Sequence, residues 1–310
     1  MIGDGIVFRE GEDRFLLTGG LMIAPGAMIR PDGFDVQLEE LTAQMFNYHI
    51  QGPNSGKVMA DLCGEDISDL EFIHFRNVTV CGQTCMLYRG GMSGELGYEL
   101  FGPSAYGSII WQAVVDAGKP YGIRQLGMRS LMLNHLQAFF PTIWIDFVPS
   151  IVPGAEAMHR YPTDFGWGSL VDKTRDFPGK DAIMAEIANP THKTMMLEWN
   201  TDDVRAIHDS LFDTDNEPYE QMCMPTNTAE PGEGSFPALP VLDDNHRFVG
   251  LATNHGYSYQ FRRCLSITWL DTSVAEVGKE LFVVWGTEGK RQMLIRATVA
   301  EAPYKKDNRR

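Results

Sequence analysis

Short apolar runs broken by glycine and proline dominate the front of the chain, and they read as strands. Residues 5–9 and 14–18 flank Gly11-Glu12-Asp13 and predict a hairpin. Residues 44–50 predict a strand that stops at Gln51-Gly52-Pro53. A short helix follows, capped by Asn54 or Ser55 and closed by Gly64. Strands at 77–81 and 84–89 lead into a glycine-rich stretch, and a strand resumes at Tyr98–Phe101. Ser104 is the expected cap of a helix running to Ala117, with Gly118 as its stop. Its Ile109, Ile110, Ala113, Val114 and Ala117 recur at helical spacing and give it a core-facing stripe. Phe165, Trp167 and Ser169 alternate like one face of a half-buried strand.

From about residue 193 the texture turns strand-rich, at 194–199, 238–242, 247–253, 264–270, 279–285 and 291–299, with one helix at 202–212. That pattern predicts an all-β terminal domain of sandwich or barrel type. The expected fold class is α+β. Residues 1–150 form the first domain, 151–192 a connecting α/β segment of it, and 193–310 the barrel-like domain. The stretch 213–237 is an acidic, Pro/Gly-rich loop, and 305–310 a solvated end.

A chain of 310 residues suggests about two domains. Hydrophobic content of 44% and charged content of 22% are those of an ordinary globular protein. The 41 acidic against 26 basic residues give a net charge of −15, which argues against nucleic acid and anionic membranes as partners. A polyanionic ligand would need a local basic patch. No apolar run approaches the ~20 residues of a membrane span, and Met1-Ile-Gly-Asp-Gly5 does not read as a signal peptide, so a cytoplasmic protein is expected. The five cysteines are scattered. Cys81 and Cys85 flank an expected turn at Gly82-Gln83, placed to face each other across a hairpin. No second pair completes a zinc site, so reduced thiols and no metal are expected.

The chemistry concentrates between Tyr88 and Pro103. Four glycines, Gly90, Gly91, Gly94 and Gly97, fall within eight positions, with Glu95 in the loop and Glu99 on the returning strand. Such a loop lets backbone approach another body closely. Its plain alternative is a hairpin whose acids face water. The stretch resembles the corresponding segment of the glycine cleavage T protein (aminomethyltransferase) superfamily, which binds tetrahydrofolate. The resemblance places the family's pterin-binding acid on Glu99 and puts Tyr88 on the cofactor side. A pterin offers an exocyclic amine beside a ring N–H, and one carboxylate accepts from both.

The resemblance extends from Asp4 to about Pro303. Asp4 matches the catalytic aspartate of folate-dependent relatives, and Gln51-Gly52-Pro53 is a structural mark of the superfamily. Arg129 falls on a family arginine, to be read as a ligand-carboxylate contact or as a structural ion pair at a helix start. Met132–Gln137, with Asn134, is closer to the aryl O-demethylases of the vanillate and syringate type. Gln137 replaces their glutamate. His135 is an acid–base candidate or a structural histidine, and Trp167 lines the ligand or fills core. Tyr257 and Arg263, in a demethylase-like Gly256–Arg263 turn, reach the ligand or close the domain. The front of the family's folate domain is missing from this chain, and Thr18-Gly19-Gly20 stands where the family has an asparagine. What the resemblance implies is methyl transfer from a small aromatic methyl ether to tetrahydrofolate. The alternatives are transfer from an amine or sulfonium donor, and a folate-binding module without catalysis.

Overall fold

The computed structural model describes residues 1–19, 35–223 and 238–310. Gly20 and residues 224–237 of the expected acidic loop lie outside the described residues. The chain divides into two compact units. One comprises residues 3–127 with 306–310, the other residues 1–2 with 128–305.

The first unit is built on a four-stranded antiparallel sheet in the order β3-β6-β5-β4. Its strands are β3 (Met45–Gln51), β4 (Phe75–Val80), β5 (Gln83–Arg89) and β6 (Gly97–Pro103). Strands β4 and β5 are joined by Cys81-Gly82, both at positive φ (51° and 76°), the backbone of a tight two-residue hairpin turn. Cys81 therefore occupies the turn itself while Cys85 pairs with Val78, so the expected facing of the two thiols does not occur. No two of the five cysteines are joined.

Period-two alternation gives the sheet two faces. Phe46, Ile50, Val78, Val80, Cys85, Leu87, Tyr98 and Leu100 pack with helices α1 (Ser55–Cys63) and α2 (Gly107–Gly118). Ser104 does not cap α2. Its hydroxyl donates to the Ala43 carbonyl, and a short 3-10 turn precedes the helix. Ile110 and Val114 of the expected stripe are buried, whereas Ile109 is exposed. On the opposite face the hairpin β1 (Ile6–Arg9) and β2 (Phe15–Thr18) brings Phe8 onto Met86, Tyr88 and Phe101. The Phe8 ring meets Phe75, Tyr88 and Phe101 edge-on, at 5.4, 5.1 and 5.5 Å between centroids. Burying one such phenylalanine contributes about 1.5–3 kcal/mol. The apolar half of this face ends there, and Glu99 lies beyond it.

The second unit holds a closed six-stranded barrel, β10-β7-β12-β11-β8-β9. Its strands are β7 (His192–Trp199), β8 (Leu239–Leu242), β9 (Phe248–Ser258), β10 (Arg263–Asp271), β11 (Glu280–Trp285) and β12 (Met293–Ala300). Of the two types expected from the sequence, this is the barrel. Among the described residues three α-helices accompany it, α3 (Met128–Ala138), α4 (Lys180–Ala188) and α5 (Thr201–Ser210). Asn200 caps α5, its side-chain oxygen accepting from the amides of Asp202 and Asp203. Val204 and Ile207 of that helix join the barrel core. Helix α3 lays Leu133 and Leu136 against Met196, Leu265 and Ile267.

One expected strand is absent. Residues Pro162–Phe165 and Trp167–Leu170 form two short 3-10 helices. Pro162 suits a helical start, Asp164 caps the Tyr161 amide, and Gly166 at φ 76° breaks any extended run.

Candidate functional site

Glu99 lies on the inner strand β6, in register with His49 of β3 on one side and Tyr88 of β5 on the other. Its carboxylate is only 5% exposed. The Asn47 amide donates to Glu99 Oε2 at 3.1 Å and contacts His49 Nε2 at 3.1 Å; His49 Nε2 lies 3.7 Å from the same carboxylate oxygen. Among the described residues no lysine or arginine pairs with Glu99, and Oε1 accepts no hydrogen bond. Among the described residues the Asn47 amide gives this carboxylate its one hydrogen bond. Donors arriving together at this carboxylate would complete it, and the amine and ring N–H of a pterin are such donors, so the residues present fit that group.

The glycine-rich loop shapes the surroundings. A side chain on Gly90 would run into the Tyr88 ring, and one on Gly91 or Gly97 into the Gln51 amide. Ser93 donates to Gln51 Oε1 at 3.2 Å. The end of the chain binds this loop as well. The Asn308 amide donates to the Gly94 carbonyl at 2.9 Å, and Arg309 Nη1 to that of Gly91 at 3.1 Å. Asp307 grips the same guanidinium through two contacts of 2.8 Å. Burial pushes the Tyr88 phenol up from its ordinary value, the neighbouring Glu99 charge adds to this, and Arg309 opposes it.

The other expected residues fall as follows. Asp4 belongs to the same unit as Glu99 and Tyr88. Burial raises its carboxyl above the usual range, and no hydrogen bond links it to Glu99. Tyr88 and Glu99 are the pair that the fold brings side by side. Arg129, His135, Trp167 and Tyr257 belong to the other unit. Arg129 is exposed in the first turn of α3 and makes no ion pair among the described residues, so the structural-pair reading is not realised. His135 is buried at 4% exposure, with Nδ1 2.8 Å from the Thr142 hydroxyl. Trp167 packs 5.2 Å from the Phe165 ring. Tyr257 is half-buried against the barrel core, edge-on to Tyr259, and Arg263 pairs with Glu198 at 2.8 Å.

Two features escaped the sequence reading. The first is the Asn47–His49 pair, whose signal was the alternation of Asn47, His49 and Gln51 with Phe46, Tyr48 and Ile50. The second is a buried knot around Asp146. Its carboxylate accepts from the Thr142 and Asn254 amides and the Thr253 hydroxyl, across more than a hundred residues of sequence. Burial pushes Asp146 up to about 6. Among the described residues no cluster of three His, Cys, Asp or Glu side chains could hold a metal ion, and no helix is long and apolar enough to cross a membrane.

Comparison with known proteins gives this order of elements a family. The family model described as the GCVT N-terminal domain matches residues 1–161. A sesamin methylene transferase from Sinomonas sp. is 30% identical, over 98% of this chain and 74% of that protein. A syringate O-demethylase from Sphingobium sp. is 26% identical, over 98% of this chain and 75% of that protein. The crystal structure of glycine cleavage system aminomethyltransferase T from Bartonella henselae superposes with a TM-score of 0.73 at 18% identity, covering 99% of this chain and 73% of that one. The chain belongs to the GCVT family of folate-dependent one-carbon transferases.

Proposed function

We propose that this chain moves a methyl group from the ether oxygen of a small aromatic compound to N5 of tetrahydrofolate. The observation that carries the folate half is Glu99, a buried carboxylate that among the described residues has no lysine or arginine partner and one oxygen without a hydrogen bond. In this reading Glu99 accepts from the pterin amine and ring N–H in a charge-assisted pair. Tyr88 and the glycine-rich loop wall that position. Tetrahydrofolate supplies the attacking nitrogen when bound.

The net change exchanges an ether C–O bond for an N–C bond, with one proton passing from the folate nitrogen to the phenol oxygen. Asp4 suits the folate side of that transfer, because burial biases its carboxyl toward holding a proton. Arg129, which meets no acid among the described residues, is the group for a ligand carboxylate, which its planar fork fits. His135 and Tyr257 are the candidates for the leaving-group oxygen, and Trp167 for a ligand wall. A general acid there contributes about 10²–10⁴-fold.

The aromatic half rests on the relatives named for syringate and sesamin. The name sesamin methylene transferase favours a second reading, in which the carbon moved is a methylene bridging two aromatic oxygens. The test incubates the chain with tetrahydrofolate, without oxygen, beside an aryl methyl ether, an aryl methylenedioxy compound and a methylated amine. Methyl-tetrahydrofolate with a stoichiometric phenol, from the ether alone, is the expected outcome. Methylene-tetrahydrofolate selects the second reading. Product from the amine alone overturns both, and binding without turnover of any donor leaves a folate-binding module.

A further inference from the structure

Each glycine of the loop between β5 and β6 answers to a neighbour or to the backbone. Gly90 makes room for the Tyr88 ring, and Gly91 and Gly97 make room for the Gln51 amide. Gly94, at φ 72°, takes a left-handed turn. A loop so rich in glycine has many accessible backbone states, so contacts from elsewhere must select one. Its base is tied to the segment after β3. There the Leu96 carbonyl accepts from the Gly52 amide at 2.8 Å and from the Ser55 hydroxyl at 3.0 Å. Its tip is tied by residues distant in sequence that belong to the same unit. The Gly94 carbonyl accepts from the Asn308 amide at 2.9 Å, and the Gly91 carbonyl from Arg309 Nη1 at 3.1 Å.

Arg309 is a donor of fixed aim. Asp307 accepts from its Nε and Nη2, each at 2.8 Å, and its guanidinium carbon stands 5.7 Å from the Phe72 ring centre. The side chain is 27% exposed. With Nε and Nη2 in the grip of Asp307, Nη1 is the nitrogen turned to the Gly91 carbonyl. From there the contacts run on to the acid. Gly91 follows Gly90, the Tyr88 ring rests on Gly90, and Tyr88 is the cross-strand partner of Glu99. Directly paired residues share a face of the sheet. Tyr88 registers both ends of this path. Burial raises its phenol most, the Glu99 charge adds to that, and the Arg309 charge lowers it.

We infer that Arg309 is a positioning residue of the Glu99 site: by holding the Gly91 carbonyl it fixes the loop on which the Tyr88 ring rests beside Glu99, so that this wall is formed before a ligand arrives. This rests on the folate reading given above.

The test titrates tetrahydrofolate into the 310-residue chain by calorimetry without oxygen. It also follows deuterium exchange of residues 90–97 with and without saturating ligand. Wild type is compared with Glu99→Gln, Arg309→Ala and Arg309→Lys. Arg309→Ala is expected to weaken tetrahydrofolate about three- to tenfold, the size of one partly exposed hydrogen bond, because the ligand must then order the loop as it binds. Loop exchange in that variant is faster than in wild type when free and returns to the wild-type rate at saturation, while exchange in β4 and β5 stays unchanged. Arg309→Lys, which keeps a cationic donor, recovers part of the lost affinity. Wild-type affinity in Arg309→Ala, while Glu99→Gln loses the ligand, overturns the inference and leaves Glu99 standing. So does a lost affinity accompanied by faster exchange throughout the sheet, or by loop exchange that saturation does not slow, since Arg309 then serves the fold rather than the site. If wild type does not bind tetrahydrofolate, or Glu99→Gln binds it as wild type does, the folate reading falls and the Arg309 assignment with it.

Discussion

Replacing Glu99 by glutamine changes one oxygen to an amide nitrogen at a site where every arriving group is expected to donate. The wild-type carboxylate has two oxygens, of which Oε2 alone accepts a hydrogen bond among the described residues, from Asn47. Two charge-assisted bonds from a pterin are each worth about 1.5–3 kcal/mol. Glutamine keeps one acceptor, weakened by loss of charge, and turns the other into a donor facing a donor. A loss of about 3–4 kcal/mol follows, or roughly 10²–10³-fold in Kd. Stability responds differently. The variant exchanges a charge-assisted bond from Asn47 for a neutral one, which costs about 1 kcal/mol. It also removes a carboxylate buried without a cation, which offsets a similar amount. The net change is expected within about 1 kcal/mol, a shift in Tm of no more than about 2–4 °C. Calorimetric titration without oxygen and a thermal melt of both proteins check this. Equal folate affinity would refute the role of the acid, and a lost affinity accompanied by a large fall in Tm would refute the claim that Glu99 serves the ligand rather than the fold.

Other consequences can be measured independently. Asp146 sits at about 6 against an ordinary 3.8, so the folded chain holds that proton more tightly, and its contribution is present below pH 4 and lost as pH rises to 6. His255 sits at about 4 against 6.5, buried and neutral, so its contribution is lost as pH falls from 6.5 to 4. The two oppose each other. Asp146→Asn is expected to steepen the loss of stability on acidification across that window by up to about 3 kcal/mol, read from urea midpoints; an unchanged pH slope would contradict the assignment. Gly90→Ala places a methyl against the buried Tyr88 ring and is expected to cost about 1–3 kcal/mol by denaturant unfolding. Arg309→Ala removes the donor to the Gly91 carbonyl, and amides of residues 91–96 should then exchange faster with deuterated solvent than in wild type.

Most elements were legible because their signals are local. Gly64 closing α1, the Gln51-Gly52-Pro53 stop and the strand runs of the barrel each depend on neighbours along the chain. The stretch around Trp167 misled because its alternation mimics a strand while Pro162 and Gly166 dictate short helical turns. Glu99 was found through resemblance rather than spacing. Its burial could not be read, because that depends on the hairpin and on cross-strand register. The meeting of Asn47 and His49 with Glu99 depends on β6 lying beside β3, which no local signal states. The Asp146 knot joins side chains from three separate stretches, a relation that composition and periodicity do not carry.

The placement of Glu99 on an inner strand and of Asn47 and His49 on the outermost strand of the sheet separates what must stay from what can drift. Tyr98 and Leu100, on either side of Glu99, are locked into the helix-covered core, and β6 is laddered on both edges. A one-residue slip would turn the acid into that core, so the acid is held by the same interactions that hold the fold. Among the described residues strand β3 has a neighbour in this sheet on one side only. Its outward residues can be exchanged without disturbing a second ladder. Substitution of the outward residues of β3 is therefore expected to leave the anchoring carboxylate in register.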